Sequence, residues 1–249
     1  MFATINHKGK TYKADLDKPM DISIPLRATK ENVSAWYVQP PRFEPVRMGD
    51  WIGDVSQGGP VNFRDIFFNP HGHGTHTECV GHISKEFYTI NQCLKNFIFI
   101  CEVISVIPTE LPNSDLIITK ASLEIMLKGK NVEAVAIRTL SNPVSKLSMQ
   151  YSNTNPPFMQ PEAMHYLTSC GIDHLLFDMP SVDKEKDDGK LPAHHTFWEY
   201  PHNTQQHRSI TELIYVPNNI LDGTYLLNIQ IASFENDASP SKPVLYRLI

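Results

Sequence analysis

Four apolar runs constrain what this chain can become. Phe97–Ile107 (FIFICEVISVI), Val132–Thr139 (VEAVAIRT), His174–Ser181 (HLLFDMPS) and Thr224–Phe234 (TYLLNIQIASF) are rich in β-branched and aromatic residues. Their length and near-continuous apolar character suit buried strands. Two stretches between them carry helix punctuation. SLEIMLKGK starts at Ser122, a plausible N-cap, and meets Gly129. PEAMHYLTSCG puts Pro161 at the first helical position and Gly171 just past the last turn. Strand, helix, strand, helix, strand predicts an α/β fold. The chain has 249 residues, 41% of them hydrophobic, which is ample for a core. No internal repeat or low-complexity linker divides it, so one domain over 1–249 is expected.

The first 70 residues differ, being proline-rich, aromatic and weakly periodic. Residues 35–59 and 142–159 read as long loops, which in a compact domain usually shape a site or an interface. The formal net charge is −5 with no basic stripe, so nucleic acid is not an expected partner. The dense charge run Asp183–Lys190 (DKEKDDGK) reads as a solvated surface loop. No run approaches the ~18 apolar residues of a membrane span. The amino terminus has no apolar signal core, and the four cysteines are scattered, so a reduced, cytoplasmic protein is expected.

Chemistry concentrates in Asn69–His82 (NPHGHGTHTECVGH), where four histidines, a glutamate and a cysteine fall within fourteen residues. His76 and Glu78 are two apart, so an extended backbone points both to one side. Gly72 and Gly74 allow a sharp turn that brings His71 or His73 to the same point. Two imidazoles and a carboxylate suit zinc, manganese or a similar divalent ion. His82 could act there as general acid or base. Cys79 adjoins Glu78 and faces the other way, which favours packing. A second window, AHHTFWEYPHNTQQH, carries His194, His195, His202 and His207, with Glu212 close behind. Together the windows could hold one metal, or two sharing a carboxylate. Spacing alone equally allows two polar loops whose histidines bond to backbone.

The segment GTHTECVGH resembles the signature of the metal-dependent cyclase-like hydrolases, a family that includes bacterial kynurenine formamidase and isatin hydrolase. Its pattern is H-x-G-T-H-x-D-x-P-x-H. Gly74, Thr75 and His76 match the G-T-H, Glu78 replaces the aspartate, and His82 matches the final histidine. MDISIPL, AIRT, CGIDHLLFD, the His194–Trp198 segment, ITEL and the closing DGTYLLNIQIASFENDASPSKPV resemble further family segments in the family's order. The resemblance implies a compact α/β domain around a mixed, partly barrel-like sheet with flanking helices, the swivelling β/β/α arrangement, assembled as a homodimer or homotetramer. It also implies hydrolysis of a small cyclic or aromatic amide or formamide by metal-activated water. One or two ions would be held by His76, Glu78, His194 and Glu212, with His82 as acid/base.

The departures are specific. The family's first histidine falls on Gly72, leaving His71 or His73 to replace it, and Val80 stands for the proline. Spacing to Phe197 and Trp198 favours His194 over His195. Trp51, Phe67, Phe68 and Trp198 are candidates for a substrate wall. The alternative is a non-catalytic member that binds a small molecule, which the Gly72 and Glu78 departures favour.

Overall fold

The apolar runs become strands that close on one another. The computed structural model describes residues 1–249. Its main strands are β1 (Met20–Asp21), β2 (His76–Glu78), β3 (Ile98–Val106), β4 (Ala134–Thr139), β5 (His174–Phe177), β6 (Ser209–Glu212), β7 (Gly223–Ile231) and β8 (Ala238–Arg247). The order is β7-β3-β4-β5-β6-β2-β8, and β8 pairs back onto β7, so seven strands form a ring with β1 added along β8. Neighbours from β3 to β6 run parallel, and the other pairs are antiparallel. Closure removes the exposed edges that such apolar strands would otherwise present.

Alternation along the strands separates two cores. Val135, Ile137, Leu175 and Phe177 face outward, where they meet Leu123 and Leu127 of α2 (Lys120–Leu127), Met164 and Leu167 of α3 (Pro161–Ser169), and Phe197 of α4 (Pro192–Trp198). A one-turn helix, α1 (Pro70–His73), precedes them in the chain. Ala134, Ala136, Leu176, Cys101 and Leu227 fill the barrel interior, and Cys79 packs with them. Both faces of β4 and β5 are therefore apolar, which is why their sequences show no period of two. The mixed barrel-like sheet with flanking helices is the fold the resemblance implied.

Three local expectations shift. The cap of α2 is Thr119, not Ser122; the Thr119 hydroxyl accepts the Ser122 N–H, so the helix starts at Lys120. β5 ends at Phe177 instead of reaching Ser181. The next residue, Asp178, turns its carboxylate to the Thr139 N–H and the Lys146 ammonium in place of continuing the ladder. Residues 42–67 form short strand pairs among themselves, outside the ring. No helix is long and apolar enough to cross a membrane.

Candidate metal centre

Register builds the site. Across β2 and β6, Glu78 opposes Ile210 and His76 opposes Glu212. Opposed residues share a face. Ile210 belongs to the outer core, so His76, Glu78 and Glu212 point into the layer between barrel and helices. On the interior side the Thr77 and Thr211 hydroxyls meet at 2.8 Å. Thr75 anchors the entry to β2, its hydroxyl accepting the Ile24 N–H at 2.7 Å and donating to the Leu213 carbonyl.

The one-turn α1 delivers His71. Asn69 caps it through the Gly72 N–H, and Pro70 occupies the first helical position. Gly72 is pressed against residues 35–38: a Cβ there would lie 2.7 Å from the Val38 side chain and 3.1 Å from the Ala35 carbonyl. No histidine fits at that position, and the preceding residue supplies the imidazole. His194 arrives on α4. Leu191, in the left-handed region before Pro192, offers no side-chain cap. The Asp183 carboxylate substitutes, accepting the Ala193 N–H at 2.8 Å, the His194 N–H at 3.1 Å and the His194 ring Nδ1–H at 2.6 Å.

These elements converge on Glu78, which is fully buried. Its Oε2 lies 3.1 Å from His71 Nδ1, 4.0 Å from His76 Nε2 and 3.9 Å from His82 Nδ1, and its Oε1 lies 3.1 Å from His194 Nε2. Glu212 Oε2 stands 3.4 Å from His76 Nε2. Protonation follows from the outer partners. His76 Nδ1 faces the Gly74 carbonyl at 3.1 Å, and a carbonyl only accepts, so the hydrogen is on Nδ1. His76 Nε2 then carries a lone pair aimed at two carboxylates. That nitrogen and Glu78 Oε2 are both buried without a hydrogen bond. Lone pairs converging in a dry pocket are repulsive unless a cation lies between them. The donor set of imidazoles and carboxylates fits a divalent metal ion, and two overlapping sets, His71/His76/Glu78 and Glu78/His82/His194, share Glu78.

Without a metal, protons supply the positive charge. Burial works against charge on His71, but the bond to Asp237 and the facing Glu78 carboxylate raise it to about 10. His194 is likewise raised to about 10, burial being outweighed by Asp183 and Glu78. Glu78 is held well below the usual carboxylate range; burial opposes this, and the His82 charge, the His194 bond and the facing His71 ring overcome it. His71 and His194 thus each hold an extra proton beside Glu78.

Of the sequence candidates, the structure brings together His71, His76, Glu78, His82, His194 and Glu212. It does not bring His73, whose Nδ1 accepts the Asn69 N–H at 2.8 Å and which lines a separate cleft of about 260 Å³ with Phe68 and Lys242. His195 turns to the Tyr200 carbonyl at 3.0 Å, and His207 pairs with Asp173 at the surface. Trp198 is fully buried behind His194, with its indole N–H on the Arg208 carbonyl, and so is no substrate wall. Trp51 packs edge-on against Phe63, and Phe68 stacks on Phe234. Two acidic residues were not singled out from the sequence. Asp183, placed there in a solvated loop, is buried because it caps α4 and fixes His194. Asp237, at the foot of β8, bonds His71 and His82. Asp183 could have been suspected from Pro192, a helix start lacking a local cap; Asp237 had no signal of its own.

Residues 20–184 match the model of the Cyclase family, described as "Putative cyclase". Curated proteins provide no match. The fold is similar to a potential metal-dependent hydrolase with cyclase activity (17% identity, 92% of this chain and 97% of that one, TM-score 0.66). It is also similar to a predicted metal-dependent hydrolase from Bacillus stearothermophilus (17%, 92% and 98%, 0.64). An isatin hydrolase bound to the product analogue thioisatinate aligns at 13% identity over 92% of each chain, with a TM-score of 0.67.

Proposed function

We propose, from the premise that this chain belongs to the cyclase family, that it is a metal-dependent hydrolase of a small cyclic or aromatic amide or formamide. The observation that carries this reading is the pair of buried, unpartnered lone pairs on His76 Nε2 and Glu78 Oε2 at the centre of four imidazoles. The bound group would be a divalent cation, zinc or manganese, as one ion or two. His71, His76, His194, Glu78 and Glu212 would hold it. When bound, it supplies Lewis acidity toward a carbonyl and lowers the pKa of a water.

The remaining chemistry belongs to the chain. Asp183 holds the His194 ring so that Nε2 faces Glu78. His82 is the most exposed imidazole of the group, its side chain 30% accessible, and its Nδ1 is engaged by Asp237 at 3.2 Å. Its Nε2 is thereby left for an incoming molecule, where it can take a proton from water and pass it to the leaving nitrogen. Of the two departures favouring a non-catalytic binder, the glycine at 72 loses its force because His71 stands in the ligand cluster, and the Glu78 exchange is what that alternative keeps.

The test is turnover of isatin and of N-formylanilines by protein loaded with zinc or manganese. His82→Ala should retain its metal and lose about 10²–10⁴-fold in rate. Metal-loaded protein that hydrolyses no cyclic or aryl amide, or that works equally well as Glu78→Ala, overturns the proposal.

A further inference from the structure

Asp237 sits where two functions meet. Its Oδ2 lies 2.9 Å from His71 Nε2 and 3.2 Å from His82 Nδ1, and the two rings stack at 4.3 Å with 30° between their planes. A carboxylate oxygen only accepts, so both ring nitrogens facing it carry hydrogens. For His71 this leaves Nδ1 as the nitrogen presented to Glu78. For His82 it leaves Nε2 as the nitrogen presented to the mouth of the site. One oxygen therefore sets the orientation of a ligand-type histidine and of the histidine placed to move protons.

The carboxylate is rigidly mounted. The Asp237 carbonyl accepts the Cys79 N–H at 3.0 Å, and the Asn236 carbonyl accepts the Ile90 N–H at 2.8 Å. Asn236 Nδ2 donates to the Ala238 carbonyl at 3.0 Å. Glu235 is tied in turn, its carboxylate accepting the Thr89 hydroxyl at 2.8 Å and the Gln92 amide at 3.2 Å. Gly81 allows the approach from the other side: a Cβ there would lie 2.1 Å from the Tyr88 carbonyl and 3.3 Å from the Asp237 Cβ. The turn carrying His82 therefore packs closely on Tyr88 and on the strand end carrying Asp237, through a position where the Tyr88 carbonyl leaves no room for a side chain. Such a mount suits a carboxylate that must hold a direction, since outer partners of site histidines act by fixing the ring and its tautomer.

We infer that Asp237 is a positioning residue for the hydrolytic reaction: it holds His82 as the Nδ1–H tautomer with Nε2 free for proton transfer, and holds His71 with Nδ1 toward the metal. The inference rests on the proposed function for its catalytic half and on geometry alone for its structural half. Asparagine at 237 keeps one acceptor oxygen but loses the carboxylate charge, and its NH₂ group can turn to a ring nitrogen and favour the other tautomer, whereas alanine removes the acceptor altogether.

Two variants, Asp237→Asn and Asp237→Ala, test this in zinc-loaded protein beside the wild type. Long-range ¹⁵N–¹H spectra of the imidazoles, with His82 assigned by its loss in His82→Gln, report the tautomer directly. Wild type should show His82 as Nδ1–H, and Asp237→Ala should show it shifted to Nε2–H or to a mixture. Against isatin, kcat should fall about 10–100-fold in both variants, with KM within about threefold. A His82 signal unchanged in Asp237→Ala overturns the inference, whatever happens to the rate. So does a wild-type kcat in that variant. If wild-type protein turns over neither isatin nor a formylaniline, the proposed function fails separately, and the imidazole spectra still decide the role of Asp237.

Discussion

Two buried charged groups lie at the ends of the barrel strands, and they are finished differently. At the ends of β4 and β5, the Lys146 ammonium donates to the Thr139 carbonyl at 2.8 Å, the Thr139 hydroxyl at 2.8 Å and Asp178 at 2.7 Å. An ammonium has three hydrogens, and all three are used. Burial raises the Asp178 pKa, and Lys146 is the cation that counters it. At the ends of β2 and β6, Glu78 and Glu212 have no lysine or arginine partner. They face imidazoles, which carry a positive charge only while they hold a proton. The first group is closed by a lysine of the chain whose three donors are all taken. The second is closed by exchangeable protons, which a metal can displace.

The contrast is testable in descending order of effect. Lys146→Met leaves Asp178 buried without its cation and should cost about 3–5 kcal/mol of folding stability, read by denaturant unfolding, with zinc affinity unchanged. If that variant is as stable as wild type, the Lys146 group is not what closes the strand ends. Zinc at about a hundred times its Kd should stabilise wild type by about 2.7 kcal/mol. Glu78→Ala should show no such gain in a thermal melt, and a retained gain would move the metal away from Glu78. Asp183→Asn keeps the cap acceptor but loosens the hold on the His194 ring, and should weaken zinc binding about 10–100-fold by competition titration.

The smallest effect concerns protons. His71 and His194, raised to about 10 in the metal-free protein, are protonated at pH 7 and must lose that proton on ligation. Zinc binding at pH 7 should therefore release about two protons, and zinc affinity should rise with pH through the neutral range. Calorimetry in buffers of different ionisation enthalpy reads the number. Release near zero would mean that neither ring gives up a proton to the metal.

Local pattern carried much of the fold and of the site. Buried strands announce themselves because both faces of β3 to β5 are covered, and Pro161 with Gly171 (φ +79°) frames α3 as the sequence suggests. Boundaries were weaker wherever a side chain competed for backbone groups. Thr119 took the cap from Ser122 through one hydrogen bond, and β5 stops beside Asp178, whose carboxylate accepts the Thr139 N–H and the Lys146 ammonium; neither leaves a periodic trace. The resemblance to the cyclase family lined up His76, Glu78, His82, His194 and Glu212, but it left a gap at Gly72 that sequence could not fill.

What the order of residues fixes alone is short-range: His76 and Glu78 on one side of an extended strand, Asn69 and Pro70 starting a turn that carries His71. Those follow from backbone period and capping, which act over a few residues. Val38 and Ala35, more than thirty positions away, crowd Gly72 and exclude a side chain there, and the choice of His71 over His73 shows only in their partners, Glu78 and Asp237 for the first and the Asn69 N–H for the second. Asp183 and Asp237 joined the site because α4 needed a distant cap and because β8 pairs Ala238 with Glu78. A lone carboxylate has no sequence signature of its role, since its partners are chosen by how the barrel closes.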